Sequence, residues 1–402
     1  MAKTFPFSIW VYNPPSDFTP DEVNVWANCG LNIPMGPQMA YGKNDPRELI
    51  PFLDRAEELG IKLIANFYGV TYGDVKSAGE EEVERRLREL YEPLKGHPAL
   101  YGFFGGDEPT GKDNIAAAEA TFRIHKKVAP ELYPFINLIG GMANKSEEEL
   151  GGKNLDEWFK SVADAGVTYV SQDLYGPMIN EDTTTAHFGE MRKVVEAAEK
   201  VGVDVWTNML SSGHYAYRVP TATEVLWQIT TAAACGCRGA VWFRFYDRLI
   251  GHEYFGSPID EYGNKTENYY NILRAQRRFT DHYGEIIMKL RRKSTFFRGT
   301  DRKHYPMFET GCHDLIDIKC YEDAIISFFE DEEGREYMCI VNAYRDMHAT
   351  IKIIFDEEKC TLKELLLNGK IVNRIAPVGP NDEWGGESFY AGQFRLFRID
   401  RK

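Results

Sequence analysis

Two acidic residues stand side by side at Asp107 and Glu108, in the run Gly105-Gly106-Asp107-Glu108-Pro109. Adjacent carboxylates repel, and holding both in one place raises the proton affinity of at least one of them. Such a pair suits glycosidic bond cleavage, in which one acid protonates the leaving oxygen while another charge supports an oxocarbenium-like transition state. On this reading Glu108 is the proton donor and Asp107 its neighbour in the pocket. A plainer reading makes Asp-Glu-Pro the first turn of a helix, where acids complement the macrodipole and proline suits the first position. That reading leaves unexplained the aromatics and paired glycines of HPALYGFFGGDEP (His97–Pro109) that lead into the acids. Side chains alternate along a strand, so both acids share a face only if the strand ends or bulges first. Gly105-Gly106 is the expected break.

Other groups can complete a site. Ser171-Gln172-Asp173-Leu174-Tyr175 offers a second acid, Asp173, and a phenol, Tyr175. Trp206 and Asn208 lie in one apolar run, and Trp242, Arg244 and Tyr246 in another; Trp10, Tyr12 and Tyr68 come from earlier ones. Rings beside amide, guanidinium and carboxylate groups suit a sugar, whose C–H faces stack on aromatics while its hydroxyls need planar donors and acceptors. Each ring taken alone reads as core; their density at one rim carries the inference. The 9 histidines show no ligand spacing, so no metal and no cofactor is expected. Gly106–Lys112 matches G-x-x-x-x-G-K, but Asp113 follows where a phosphate loop needs Ser or Thr, and that reading is rejected.

The elements that must position these residues alternate in type. Strands are expected at Phe7–Tyr12, Leu31–Met35, Lys62–Phe67, Leu100–Phe104, Tyr133–Leu138, Tyr169–Leu174, Asp204–Met209 and Gly239–Phe245. Amphipathic helices fall between them, several closing on a glycine (Gly60, Gly166, Gly202, Gly236) suited to a left-handed cap. Eight strand–helix units make a (β/α)8 TIM barrel, whose catalytic groups sit at the C-terminal strand ends. Asp107, Glu108, Asp173 and Asn208 all fall at such ends. Beyond the last helix the pattern turns to hairpins: Asp314–Glu330 with Glu336–Asn342 about Asp331–Arg335, a two-residue turn at Asn368-Gly369, and a closing strand pair in Phe389–Ile399. The expected organisation is a catalytic TIM barrel over residues 1–293 and a C-terminal antiparallel β-sandwich domain over 294–402, the latter chiefly packing against the barrel.

Composition narrows the partners. The chain has 402 residues, 43% of them hydrophobic, enough for a large core. A net charge of −14 without a basic stripe argues against nucleic acid. No apolar stretch reaches membrane-span length and no signal peptide is evident, so a cytoplasmic protein without a membrane partner is expected. The 7 cysteines lack paired spacing and read as reduced thiols. A carbohydrate substrate is the expected partner; a homo-oligomer remains open.

The run His97–Pro109 resembles strand four of the large group of (β/α)8 glycoside hydrolases, and Gly256–Tyr270 resembles the segment after strand eight in β-galactosidase-like members. That resemblance implies a glycosidase. The same group carries an Asn-Glu acid/base after strand four and a glutamate nucleophile after strand seven. Here Asp107 replaces the asparagine, and strand seven ends in Asn208 and Ser211 without a carboxylate. Gly105-Gly106-Asp107-Glu108 is also similar to the strand-four motif of family 20 hexosaminidases, and Asp-Glu-Pro to that of family 123. This second resemblance implies substrate-assisted retention: Glu108 as acid/base, Asp107 orienting a 2-acetamido group, and Tyr175 bonding its carbonyl oxygen. The alternatives are a glycosidase using Asp173 as second carboxylate and a catalytically silent sugar-binding barrel.

Overall fold

The computed structural model describes residues 3–175, 184–247, 254–299, 306–379 and 385–402. Its first sheet has eight parallel strands: β1 (Phe7–Ile9), β2 (Met35–Ala40), β3 (Leu63–Tyr68), β4 (Leu100–Asp107), β5 (Phe135–Leu138), β6 (Tyr169–Asp173), β7 (Asp204–Leu210) and β8 (Gly239–Phe243). Their order is β1-β8-β7-β6-β5-β4-β3-β2. Asn32 and Ile33 each donate a backbone N–H to Phe7 O, at 3.2 and 3.1 Å, so β1 and β2 nearly close the ring. Helices α1 (Glu22–Cys29), α2 (Ile50–Glu58), α3 (Tyr72–Ala78), α4 (Glu80–Tyr91), α5 (Lys112–Val128), α6 (Leu155–Asp164), α7 (Thr184–Glu199), α8 (Ala222–Ala234) and α9 (Glu267–Phe279) accompany the strands. This is an α/β TIM barrel.

The lumen is filled by rings. Trp10, Tyr101, Phe104, Phe135, Tyr169 and Trp206 form one buried cluster with Ile33, Met35, Ile64 and Val241. Alternation puts the intervening residues, such as Val170, Val205 and Trp242, against the helices. The second strand starts at Met35, where the sequence led us to expect it to end. Leu31 and Ile33 are buried and mimic a strand, whereas Gly36-Pro37 reads as a breaker; a register shift between Met35 and Gln38 accommodates the proline.

Residues beyond Leu290 form two antiparallel sheets. They comprise β9 (Arg291–Arg298), β10 (Ile316–Lys319), β11 (Ala324–Glu330), β12 (Glu336–Asn342), β13 (Ala349–Phe355), β14 (Cys360–Leu366), β15 (Ile371–Arg374), β16 (Glu387–Phe389) and β17 (Phe394–Arg401). The larger sheet runs β9-β11-β12-β17-β14-β15 and the smaller β10-β13-β16. The expected hairpin forms, but its first arm is Ala324–Glu330 alone; Ile316–Lys319, expected to continue that arm, is a separate strand of the smaller sheet. The turn at Asn368-Gly369 is longer than expected: Leu366 pairs with Ile371, and Leu367, Asn368 and Gly369 all have positive φ. Nor do the last two strands pair with each other; β16 joins β13, and β17 lies between β12 and β14.

Alternate residues of β11 serve two cores. Ile325 and Phe329 join the barrel's cluster, while Ala324, Ile326 and Phe328 join a second cluster shared by both sheets. Across the seam, Trp227 Nε1 donates to Ala343 O at 2.7 Å, Thr230 Oγ1 to Gly392 O at 2.8 Å and Tyr283 OH to Phe394 O at 3.1 Å. None of the seven cysteines is in a disulfide, and Cys312 is exposed. Among the described residues no helix is long and apolar enough to cross a membrane.

Candidate active site

Inward positions change character two residues at a time toward the C-terminal end of the barrel. On β5 Phe135 gives way to Asn137; on β6 Tyr169 gives way to Ser171 and then Asp173; on β7 Trp206 gives way to Asn208. The period of two stacks a polar layer on the aromatic one. Asn137, Ser171 and Asn208 are fully buried, so their polar atoms must bond to one another. Asn137 Nδ2 donates to Asp107 Oδ1 at 2.9 Å and to Asp173 Oδ1 at 2.8 Å. Asn137 Oδ1 accepts from Asn208 Nδ2 at 2.8 Å and Ser171 Oγ at 2.9 Å. Asn208 Nδ2 also reaches Asp173 Oδ1 at 2.6 Å, and Tyr175 OH reaches it at 3.0 Å. With both hydrogens of the Asn137 amide committed to carboxylates, its orientation is fixed.

Strand β4 reaches this layer through a break in its register. Its pairing with β5 shifts between Phe104 and Gly106, and Gly106 has φ 139°. A Cβ on Gly106 would lie 2.3 Å from the Tyr72 ring, whose hydroxyl donates to Asp107 O at 2.7 Å. Glu108 follows at φ 50°, an uncommon conformation for a side-chain-bearing residue, with its N–H donated to Asn137 O at 2.9 Å. The bulge lets both acids face the same layer: Asp107 bonds to Asn137, and the Glu108 carboxyl feels the charges of both Asp173 and Asp107. Helix α5 begins only at Lys112, capped by Gly111, so Asp107 and Glu108 are not its first turn.

Burial raises the proton affinity of all three acids. Glu108 is pushed up to about 7, first by desolvation and then by the charges of Asp173 and Asp107, with Lys145 opposing. Desolvation lifts Asp107 to about 6 against the Asn137 hydrogen bond. Asp173 is also raised by burial, but Asn137, Asn208 and Tyr175 stabilise its ionised form. Of two neighbouring carboxyls that repel, one takes up a proton first. The donors around Asp173 leave the charge there and the proton on Glu108.

Tyr12 and Tyr68 rim the site, Tyr68 against Phe104 at a 5.6 Å centroid distance. Burial and the nearby Asp107 carboxylate raise the Tyr12 phenol. The Arg244 guanidinium lies 5.1 Å from the Tyr12 ring centroid and 4.7 Å from that of Tyr254. Tyr175 stacks on Phe243 at 5.7 Å and gives its hydroxyl to Asp173. The structure does not bring four other rings to the carboxylates. Trp10 lies in the lumen against Phe104 and Phe135. Trp206 is two residues below Asn208, against Tyr169 at 4.3 Å. Trp242 faces the helix layer, and Tyr246 turns outward to bond Glu22 Oε1 at 2.8 Å. Asn137, Tyr72, Tyr217, Phe243 and Tyr254 were missed. Asn137 had a signal, being the polar residue in Phe135-Ile136-Asn137-Leu138 at a strand end. Among the described residues no group of three or more His, Cys, Asp or Glu is arranged to hold a metal ion.

No family model matches the chain, and no curated protein sequence is similar to it. Solved structures are. A glycoside hydrolase family 5 protein from Bacteroides vulgatus ATCC 8482 aligns with TM-score 0.59 at 12% identity, over 98% of this chain and 89% of that one. The β-galactosidase of Rahnella sp. R3 aligns with TM-score 0.57 at 10% identity, over 73% of this chain and 58% of that one. That of Marinomonas ef1 aligns with TM-score 0.53 at 10% identity, over 68% and 59%. The likeness is one of fold. This chain spans less than two thirds of either β-galactosidase.

Proposed function

We propose that the protein is a glycoside hydrolase acting on a terminal sugar or short oligosaccharide, with Glu108 as general acid/base and Asp173 as the ionised second carboxylate. The observation that supports this reading is the placement of Glu108 within reach of the charge of Asp173, whose Oδ1 accepts from three donors that hold the charge there. The barrel fold it shares with glycoside hydrolases agrees with it. Glu108 gives its proton to the glycosidic oxygen as the C–O bond breaks and the electron pair leaves with that oxygen. Asp173 then faces the positive charge developing at the anomeric carbon, and water completes the hydrolysis, returning a proton to Glu108.

A second reading keeps Glu108 and gives the supporting role to Asp107, acting on a 2-acetamido group of the substrate. Its support is the Asn137 amide, which bonds Asp107 and Asp173 alike. In that case the Tyr175 hydroxyl must leave Asp173 to reach the acetamido oxygen. We assign the chemistry to a catalytic domain of residues 1–293 and read residues 294–402 as a β-sandwich domain that buttresses it. A panel of aryl glycosides including 2-acetamido sugars tests both readings. Glu108→Gln is expected to lower hydrolysis by about a hundredfold or more; unchanged hydrolysis of every cleavable substrate refutes the assignment. Cleavage restricted to 2-acetamido sugars selects the second reading.

A further inference from the structure

One more buried acid stands behind the site. Glu190 of α7 is only 5% exposed, where a carboxylate without donors would be costly. Three donors meet it: Ala143 N at 2.7 Å, Gln172 Nε2 at 2.6 Å and Asn144 Nδ2 at 3.3 Å. Gln172 immediately precedes Asp173 on β6, and Ala143 and Asn144 belong to the single turn Met142–Asn144 in the loop after β5. Glu190 therefore ties a strand end and a loop of the candidate site to a helix of the outer ring.

That loop is fixed against the carboxylates at two points. A Cβ on Gly140 would come 3.2 Å from Asp173 O. Farther along, Glu149 O accepts from Gly111 N at 2.7 Å, three residues beyond Glu108. Between these points stands Lys145, whose ammonium pairs with Glu149 Oε1 at 2.9 Å and whose charge reaches Glu108. The other groups that act on Glu108 are the carboxyls of Asp107 and Asp173 and the phenols of Tyr72 and Tyr217. Glu190 itself is faced by Lys145 and by Lys193, the latter bonded to Asn144 Oδ1 at 2.9 Å.

We propose that Glu190 is a positioning residue: by fixing Ala143 and Asn144 it holds Lys145 beside Glu108, and through Lys145 it sets how readily Glu108 gives up its proton. The bearing on catalysis rests on the glycosidase reading above, whereas the placement of the cation does not. The direction of the change distinguishes this role from two others. If Glu190 acted through its own negative charge, removing it would favour ionised Glu108 and lower the Glu108 pKa. If it were only part of the scaffold, activity would fall with the titration unmoved. Displacing Lys145 instead favours protonated Glu108, so the pKa rises.

The test follows the Glu108 carboxyl by carbon NMR in the full chain labelled at glutamate Cδ, its signal identified by its absence from Glu108→Gln. Lys145→Met is expected to raise the Glu108 midpoint by about 0.5 pH unit or more. Glu190→Leu is expected to raise it likewise, and the double variant no further than either alone. Glu190→Ser, which leaves room for water, is read in the same way where Glu190→Leu does not fold. Glu190→Gln, whose amide oxygen can still accept from Ala143 and Gln172, is expected to stay within about 0.3 unit of the parent. A midpoint unmoved by Lys145→Met overturns the proposal, as does one that falls or stays in place on loss of Glu190, or shifts that add in the double variant. With an aryl glycoside that the wild type cleaves, the falling limb of kcat/KM is expected to move with the midpoint. A limb that stays while the midpoint moves overturns Glu108 as the acid. Hydrolysis of none of the panel overturns the glycosidase reading alone, and the NMR titration still decides the role of Glu190.

Discussion

Glu108 and Asp173 are interacting carboxyls with unequal surroundings. Asp173 accepts from two amides and a phenol, and Glu108 has none of these donors. Activity should therefore follow a bell in pH. Its falling limb, near pH 7, is loss of the Glu108 proton; its rising limb, above the usual carboxylate range, is ionisation of Asp173. Measuring kcat/KM from about pH 4 to pH 9 checks both limbs. Asn137 stabilises the charged forms, so Asn137→Ala should raise the Asp173 pKa and move the rising limb to higher pH, with kcat down about tenfold. A merely structural loss would lower kcat with the profile in place. The placement of Asp107, Glu108 and Asp173 at one end of the barrel was legible in the sequence because acids at strand ends are conspicuous. Trp206 was misassigned because a run of apolar residues does not mark which inward layer a ring occupies, and Asn208, two residues on, is where the layer changes.

At the scale of the element, strand β4 brings two acids to one layer by losing regularity. The Gly105-Gly106 pair forecast a break, and the register shift and the φ of Gly106 supply it. Gly106→Ala would drive a Cβ into the Tyr72 ring and force a left-handed backbone on alanine. The expected cost is about 1–3 kcal/mol, read from denaturant midpoints, with activity lost beyond what the stability change explains. Breaks announced by glycine pairs are legible in this way. The β2 boundary was not, because Gly36-Pro37 lies within a strand whose register shift absorbs the missing N–H. The same limit governs the Asn368-Gly369 turn: the dipeptide marks a reversal, but the positive φ of Leu367 lengthens it by local context.

In the whole molecule, the larger C-terminal sheet is not an appendage. One face completes the core around α8 and α9 through Ile325, Phe329, Tyr337, Val341 and Phe394, and the other builds the second cluster. The sequence reading took β11 as an alternating strand, yet Ala324–Phe329 is buried at every position because both its faces are covered. A chain ended after Leu290 would bare Trp227, Phe279 and Tyr283. Such a truncation is expected to aggregate or to lack a cooperative transition, while the full chain melts in one step by calorimetry; two separable transitions would contradict a shared core.

Glu108 is held from two directions. Its N–H is tied to Asn137 O on β5 and its carboxyl feels the charge of Asp173 on β6, while the bulge that carries it belongs to β4. Three neighbouring strands thus meet at one titrating group. Any change in their spacing alters the interaction between the carboxyls, and with it how tightly the proton is held. Acid strength in this protein is in that sense a strain gauge for three of the eight strands of the barrel wall. Heating, binding at the rim or a distant core substitution that loosens β4, β5 or β6 would register first as a drift in the pH optimum, before any loss of folded structure.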